Sequence, residues 1–419
     1  MGLVMAALLL VLTLLGAPLF TVIGTSAMLG FHSEGVDLSV VAIEFFGLSE
    51  TPVLVAIPLF TFAGFLLSAG HAPRRLVRLT QALLGWLPGG LAMICLAACA
   101  LFTAFTGASG VTIIALGALL FPALAEAGYD ERFNLGLITA SGSLGLLFAP
   151  SLPLILYGVV AEAPIDDLFI AGVLPGVLMI VLLSAYSFWR NRHIRHPAAE
   201  RSAAAIWAAI WAARWDLPLP FVVLGGIYSG YFAVSEAAAV TALYVAIVEV
   251  VILREVAWRD LPRIMRDSMV LVGAILVILG VSLASTNYMI DAGVPQRLFS
   301  FVSEYVRGPN TFLLVLLLFL LVLGAILDIF SATVLIVPLL LPVASQYGIH
   351  PIHLGIVFLA AMELGYLTPP VGLNLFIASH RFEKDITEIY WATQPFLLVS
   401  LLAVIIIAFW PGLSLMLLH

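Results

Sequence analysis

The stretch ELGYLTPPVGLNLFIA, Glu363 to Ala378, sets two adjacent prolines and a glycine inside an apolar run of the kind that crosses a membrane. Proline removes a backbone donor and clashes with the preceding turn, at about 3 kcal/mol in a helix interior. In hydrocarbon the freed carbonyls have no water to bond, so a break at depth is tolerated only where protein or a polar cavity meets them. A second stretch, SLGLLFAPSLPLILYG from Ser143 to Gly158, has the same character. The two align when the chain is slid on itself by 220 positions: Pro122 meets Pro342, Gly128 meets Gly348, Gly145 meets Gly365, Pro150 meets Pro370 and Pro175 meets Pro395. Chance would give about half a match over that window, so these five matches mark an internal repeat. Each stretch reads as a helix broken near its middle, over 132–160 and 352–380. A lone break of this kind is mostly a packing kink, whereas two at matching positions point to a binding site.

Composition places the chain in a membrane. Of 419 residues 63% are hydrophobic and only 10% charged, against about 25% charged in soluble domains. Apolar runs exceeding the ~20 residues of a spanning helix recur along the chain, and the short alternating segments of a β-barrel are absent. The apolar N-terminus, Met1 to Gly24, lacks a basic leader region and reads as a retained first helix. Basic residues cluster at Arg74, Arg75 and Arg78, at Arg190, Arg192, Arg195, Arg201 and Arg214, at Arg254, Arg259, Arg263 and Arg266, and at Arg381 and Lys384. By the positive-inside rule those four regions are cytoplasmic. The connectors Glu34–Glu50, Ala161–Asp167 and the turn near Ser235 then lie outside, with Arg297 and Arg307 against the pattern. Between the halves, Ala198 to Trp215 carries Trp207, Trp211 and Trp215 at a spacing of four, expected along one face of a helix lying in the membrane interface.

The helix leading into AGHAPRRL (Ala69 to Leu76) ends inside, and the helix leading into the similar AGVPQRL (Ala292 to Leu298) ends outside. The halves are thus expected to be inverted, an architecture of secondary transporters that bind at the midplane. The expected organisation is an N-terminal transmembrane helix and external connector over 1–56, a first repeat over 57–190, an interfacial arm and central helices over 191–267, and a second repeat over 268–419. The fold class is an all-α integral membrane protein, an inverted-repeat fold with two re-entrant hairpins and two broken helices.

The hairpins are the apolar segments 88–126 and 309–346, interrupted by FTGASGVT (Phe105 to Thr112) and LDIFSAT (Leu327 to Thr333). Each segment is either two full crossings or a re-entrant hairpin. Sparing Gly and Ser at the tips favour re-entrance, since small residues let backbones meet at depth. Re-entrant tips would converge on the two breaks. The oxygens on offer are the hydroxyls of Thr106, Ser109, Thr112, Ser151, Ser331, Thr333 and Thr368, the amide of Asn374, and freed carbonyls. Such oxygens suit a hard monovalent cation, although a Ser or Thr on a helix more often bonds its own backbone.

Acids at membrane depth carry a functional expectation by default, here Asp328, Glu363, Glu249 and Glu236; a capped, buried acid is the competing reading for Asp328 and Glu363. His350 and His353, and Cys95 and Cys99, sit at spacings that suggest a metal but lack a third ligand, so capping and packing are favoured. There is no G-x-x-x-x-G-K phosphate loop, G-x-S-x-G elbow or H-E-x-x-H pair, which argues against ATP-driven work and against an enzyme.

Taken together, GALLFPALAEAGYD (117–130), LGLLFAPSLPLILYG (144–158), LFIAGVLPG (168–176), SEAAAVTALY (235–244), GIHPIHLGIVFLA (348–360) and GYLTPPVGLNLF (365–376) resemble the large membrane subunit of tripartite ATP-independent periplasmic (TRAP) transporters of the dicarboxylate type. The resemblance implies a Na⁺-coupled, elevator-type importer of a small organic acid in the bacterial inner membrane, with a cytoplasmic N-terminus and periplasmic C-terminus by the charge rule. It implies three partners besides the lipid bilayer: a small membrane subunit, a periplasmic substrate-binding protein and the acid, with no nucleic acid. Carried onto this chain, substrate would meet Thr106, Ser109, Ser151 and Asn374. The Na⁺ ligands would come from Gly107, Ser109, Thr112, Pro150, Asp328, Ser331, Thr368, Pro369 and Gly372. The first tip departs from the family's common Ser-Gly-Ser-Ser, reading Thr106-Gly107-Ala108-Ser109. Coupling to protons through Asp328 or Glu363, or an anion channel, are the alternative readings.

Overall fold

The computed structural model describes residues 9, 11–12, 16–84, 90–193 and 203–418, and every regular element among them is helical. Helix α1 (Leu19–Ser33) starts after Gly16, at φ +89°, and Pro18, which stands at its N-cap. The expected first helix from Met1 to Gly24 is therefore interrupted at Gly16–Pro18; most of its first half lies outside the described residues. The connector after Ser33 is itself partly helical, as α2 (Ser39–Gly47). Helix α3 (Ala56–Ala69) and the amphipathic α4 (Ala72–Leu84) follow.

The first hairpin is α5 (Gly90–Thr106) and α6 (Ser109–Glu126); the expected start at Pro88 lies outside the described residues. The first broken helix is α7 (Glu131–Ser141), a 3₁₀ turn over Leu144–Leu147 and α8 (Leu152–Val160), bent by 44°. Then come α9 (Ile165–Ala171), α10 (Val173–Asn191), α11 (Ala203–Ala212), α12 (Pro218–Tyr228) and α13 (Val234–Ala246), which runs on as a π-helical turn over Ile247–Ile252. Helix α14 (Leu261–Asp291) has 31 residues and runs across the 267/268 boundary expected from the sequence. The second half continues with α15 (Val294–Tyr305), the hairpin α16 (Pro309–Gly324) and α17 (Ile329–Gln346), and the broken helix α18 (Pro351–Gly365) and α19 (Leu373–Phe382). It closes with α20 (Ile386–Phe409) and the short α21 (Gly412–Leu415). Seven of these stretches are long and apolar enough to cross a membrane, or nine if each bent pair counts as one.

Local geometry recurs at the 220-residue offset. Gly128 and Gly348, at φ +78° and +73°, end the return arms of the two hairpins. At each, the glycine N–H bonds the carbonyl three residues back and the next N–H bonds the carbonyl five back (Tyr129 to Leu124 and Ile349 to Ala344, both 3.1 Å). This is the helix stop that a left-handed glycine permits. The next helix starts with Asp130 accepting from the Phe133 N–H in one half and His350 Nδ1 accepting from the Ile352 N–H in the other. The peptide bonds before Pro150 and Pro370 are both cis.

Glycine also permits close helix contacts. A Cβ on Gly145 would stand 2.2 Å from the Ala100 carbonyl oxygen and 2.4 Å from the Ala104 nitrogen of α5; one on Gly365 would stand 2.5 Å from the Cα of Gly324, at the end of α16. Each broken helix is thus packed backbone to backbone on the outgoing arm of its own hairpin. The return arms cross over: α6 packs on α19 of the other half, and α17 packs on α8. Outside this core, α14 packs on α1, α2 and α3, and α3 packs on α13. That group touches the hairpins through α3 on α5 and α14 on α17.

Helix α11 is well exposed, with Trp207 and Trp211 stacked at 6.4 Å and the Arg214 guanidinium 5.0 Å from the Trp211 ring. It ends at Ala212, so Trp215 leaves the expected indole face; its carbonyl accepts from the Tyr244 hydroxyl.

Candidate functional site

The two hairpin tips meet at one cavity of about 510 Å³. Gly107 to Val111 of the first tip and Asp328 to Ser331 of the second line it, with Leu146 beside the first break and Tyr366, Leu373 and Ile377 around the second. The opposite wall is apolar: Phe65 of α3 and Leu271, Ala274, Ile275 and Ile278 of α14. The tip region therefore lies between the hairpin core and the long helix of the outer group.

Each tip has a physical reason for its shape. Gly107, at φ +63°, turns the chain between α5 and α6, and a Cβ there would stand 2.5 Å from Leu152, at the start of α8. At the second tip Asp328 caps α17. Its Oδ1 accepts from the N–H groups of Phe330 and Ser331, both at 2.9 Å, and its Oδ2 from the Ser331 hydroxyl at 2.5 Å. Tyr366 ties this tip to the second break: its hydroxyl oxygen accepts from the Ile329 N–H at 2.8 Å. The N–H groups of Val371 and Gly372 both donate to the Ala325 carbonyl, at 3.1 and 3.2 Å. Two of the backbone N–H groups at the second break are thus met by the adjacent hairpin.

The first hairpin is tied to its break by Thr103, whose hydroxyl lies 2.7 Å from the Thr112 hydroxyl and 2.8 Å from the Gly142 carbonyl. The two breaks are linked by Asn374, whose Nδ2 donates to the Thr139 carbonyl at 3.3 Å and to the Ser143 hydroxyl at 3.4 Å. Several buried oxygens in this region have no hydrogen-bond partner: Thr106 Oγ1, Ser151 Oγ, Asn374 Oδ1 and both carboxylate oxygens of Glu363. A buried polar atom left unpaired costs about 1–3 kcal/mol, so such a set invites an ion, a water or a ligand. Thr106 and Ser151 flank the contact of Gly107 with Leu152. Their hydroxyls, with neighbouring carbonyls, are the hard oxygen donors that a Na⁺ ion takes.

Of the residues expected at the site, Gly107, Ser109, Asp328 and Ser331 share the cavity. Thr106, Thr112, Pro150, Ser151 and Asn374 are buried and do not line it. Thr112 is engaged by Thr103, while Thr333 and Thr368 bond back to the carbonyls of Ile329 and Leu364. The two breaks differ in access. Pro150 is buried, whereas Pro369, Pro370 and Val371 are exposed, with Gly372 buried behind them. Sequence reading passed over Thr103, Ser143 and Tyr366. The small polar run Ser141-Gly142-Ser143 beside a helix break was the signal for Ser143; Thr103 and Tyr366 had none, because their partners lie on other helices.

The remaining polar expectations resolve into structural roles. His350 caps α18, and His353 lies 3.2 Å from both the Ser414 hydroxyl and the Ala408 carbonyl. Cys95 and Cys99 are buried in α5, and Glu236 accepts from the Ala233 N–H at the start of α13. Arg75, from the first basic cluster, is buried. Its guanidinium donates to both oxygens of Asp216 (2.5 and 3.0 Å), to Glu249 (2.8 Å) and to Glu255 (2.5 Å). Burial works against the charge of Arg75, yet the bonds to Asp216 and Glu255 outweigh it and hold the group above its ordinary value. Burial likewise pushes Glu255 upward, but the His71 N–H and Arg75 together bring it below the usual carboxylate range.

All-helical over its described residues, with this many apolar spans and a cavity between two hairpin tips and an apolar wall, the chain is of the multi-pass membrane class. Residues 3–413 match the family described as DctM, the tripartite ATP-independent periplasmic transporter DctM component. The chain belongs to this family, whose members are TRAP transporter large permeases. It is 33% identical to the C4-dicarboxylate TRAP transporter large permease protein of Rhodobacter capsulatus, over 99% of this chain and 98% of that one. It is 30% identical to the ectoine/5-hydroxyectoine TRAP transporter large permease of Ruegeria pomeroyi, over 97% and 96%. Among solved structures, the Alcanivorax borkumensis YdaH transporter shares the fold, with a TM-score of 0.61 over 90% of this chain and 88% of that one, at 15% identity.

Proposed function

We propose that this chain is the large permease subunit of a Na⁺-coupled TRAP transporter that imports a small organic acid handed over by a periplasmic binding protein. The observation that carries this reading is the meeting of both hairpin tips at one cavity, backed by the unpaired buried oxygens of Thr106, Ser151 and Asn374 at the helix breaks. That relatives are named for C4-dicarboxylates and for ectoine/5-hydroxyectoine supports a small organic acid as the substrate. In this reading the matched halves are an inverted repeat with re-entrant hairpins. Substrate binds near Thr106, Ser109, Ser151 and Asn374. Na⁺ is held by oxygens drawn from Gly107, Ser109, Thr112, Pro150, Asp328, Ser331, Thr368, Pro369 and Gly372. Helices α5 to α10 and α16 to α20 form the body that moves, carrying the cavity past α3 and α14 in an elevator-like step. The apolar wall from those two helices supports such sliding, since it offers no polar partner that would have to be broken. A small membrane subunit associates with the outer group, and the complex sits in the bacterial inner membrane with its N-terminus cytoplasmic and its C-terminus periplasmic.

The test is uptake of labelled organic acids into vesicles containing the purified complex, with the candidate binding protein on one side. Uptake driven by an inward Na⁺ gradient and dependent on the binding protein is expected. Uptake driven equally by a pH gradient alone, or proceeding without the binding protein, would replace this reading with a proton-coupled or channel-like one.

A further inference from the structure

Among the described residues, Glu363 is the carboxylate with both oxygens buried and unpaired. It is 2% exposed, and neither oxygen has a well-formed hydrogen bond, although the Ser143 hydroxyl is close enough to interact with it. Ser143 also accepts from Asn374 Nδ2, and Asn374 is fully buried with its own Oδ1 unpaired. Glu363 sits on α18 two residues before the end of that helix, Ser143 lies between α7 and its 3₁₀ turn, and Asn374 opens α19. The trio therefore joins both broken helices.

The neighbouring elements supply no countercharge. Helices α16 and α17 and the 3₁₀ turn, all packed on α18, contain no ionisable residue. On α8, Tyr157 donates to the Pro351 carbonyl at the far end of α18. On α9, Asp167 lies toward His350 and beside Asp166, and on α20 Glu388 lies near Lys384. His350 and His353 belong to the first turn of α18. The titratable groups facing Glu363 are Tyr366, three residues on, and through it Asp328. Neither brings a positive charge. An ionised carboxylate taken out of water without a partner is far costlier than a neutral one. Asp328, the other acid considered for coupling, is different, because three hydrogen bonds already satisfy its oxygens.

We propose that Glu363, with Ser143 and Asn374, forms a proton-binding site at the junction of the two broken helices; none of the three lines the cavity at the hairpin tips, and Asn374 is shared with the proposed substrate site. A proton from water forms an O–H bond on one carboxylate oxygen, and no other covalent bond changes. The neutral acid then donates to Ser143 Oγ, which has an acceptor position left beside the Asn374 bond, or to the unpaired Asn374 Oδ1. The role in transport rests on the reading of the chain as a coupled permease; the proton site itself does not.

Infrared difference spectroscopy of the purified full-length protein in lipid, titrated from acid to alkaline pH, tests the site without any substrate. A protonated-carboxyl band that disappears on raising the pH and is missing from Glu363→Gln is expected. If the glutamine variant does not fold, Ser143→Ala serves instead and should shift the band's titration by at least about tenfold in proton concentration, since it removes a hydrogen-bonding partner of the acid. A band unchanged in both variants, or one that persists to the alkaline limit of stability, overturns the proposal. In vesicles driven by Na⁺ alone, wild-type uptake should fall about tenfold for each pH unit above the titration midpoint, and Glu363→Gln should be active and flat over that window. Identical pH profiles overturn the role in transport. Absence of uptake under every condition would refute the permease reading and leave the infrared result to decide the site.

Discussion

Replacing Gly365 by alanine tests the packing on which the site depends. The added Cβ would lie 2.5 Å from the Gly324 Cα, 2.6 Å from its carbonyl carbon and 3.0 Å from its oxygen. Ordinary carbon contacts sit at about 3.5–4.0 Å, so α16 and α18 must part by roughly 1 Å. The obstacle is backbone, with no flexible side chain to swing aside. Overpacking of this kind costs about 1–3 kcal/mol. It also pulls Tyr366 away from the Ile329 N–H, and with it the second hairpin tip. The control is Gly273→Ala, in the middle of α14, where a Cβ meets nothing within 4 Å; there alanine should stabilise by about 0.5–1 kcal/mol through helix propensity. Both variants would be purified in detergent and compared by denaturant unfolding followed by tryptophan fluorescence, alongside uptake in vesicles. Gly365→Ala should unfold at lower denaturant and lose most uptake. If it matches Gly273→Ala in both, the close approach of the two helices is wrong and the argument fails.

Thr103→Val keeps the shape but strips the hydroxyl that joins Thr112 to the Gly142 carbonyl, leaving buried groups unpaired; a loss of about 1–3 kcal/mol is expected in the same unfolding assay. Arg75→Met leaves Asp216, Glu249 and Glu255 facing one another and should destabilise by about 3–5 kcal/mol, with partial recovery when Glu249→Gln is added; a double-mutant cycle reads the coupling. Because the folded-state value of Glu255 is depressed, its contribution to stability is complete above the unfolded value of about 4.5 and is lost as the pH falls through the folded one. Acid unfolding of wild type should therefore begin at higher pH than that of Glu255→Gln relative to each protein's neutral-pH stability, a difference that disappears if Glu255 is unpaired.

What could be read from the sequence was what glycine and proline do locally. The stops at Gly128 and Gly348, the breaks before Pro150 and Pro370 and the close approaches at Gly145 and Gly365 each follow from one residue's backbone requirements, so matching positions declare matching geometry. The meeting of the tips was also within reach, because small residues at the turn of two apolar hairpins have few other uses at depth. Partnerships across hundreds of residues were not. Nothing near Arg75 announces Asp216, Glu249 or Glu255, and a charge assigned to the cytoplasmic side is buried among acids. The same limit hid Thr103 and the neighbourhood of Glu363. The N-terminal helix was misread because Gly16 and Pro18 were given less weight than the apolar run around them. The unequal exposure of Pro150 and Pro370 is a tertiary property that two similar motifs cannot reveal.

The crossed return arms have a consequence for how such a chain is assembled and altered. With α6 resting on α19 and α17 resting on α8, neither half owns a complete interior: each is finished by a limb borrowed from the other. The two halves are interlocked, and cutting the chain between them should yield fragments that need each other's company to fold.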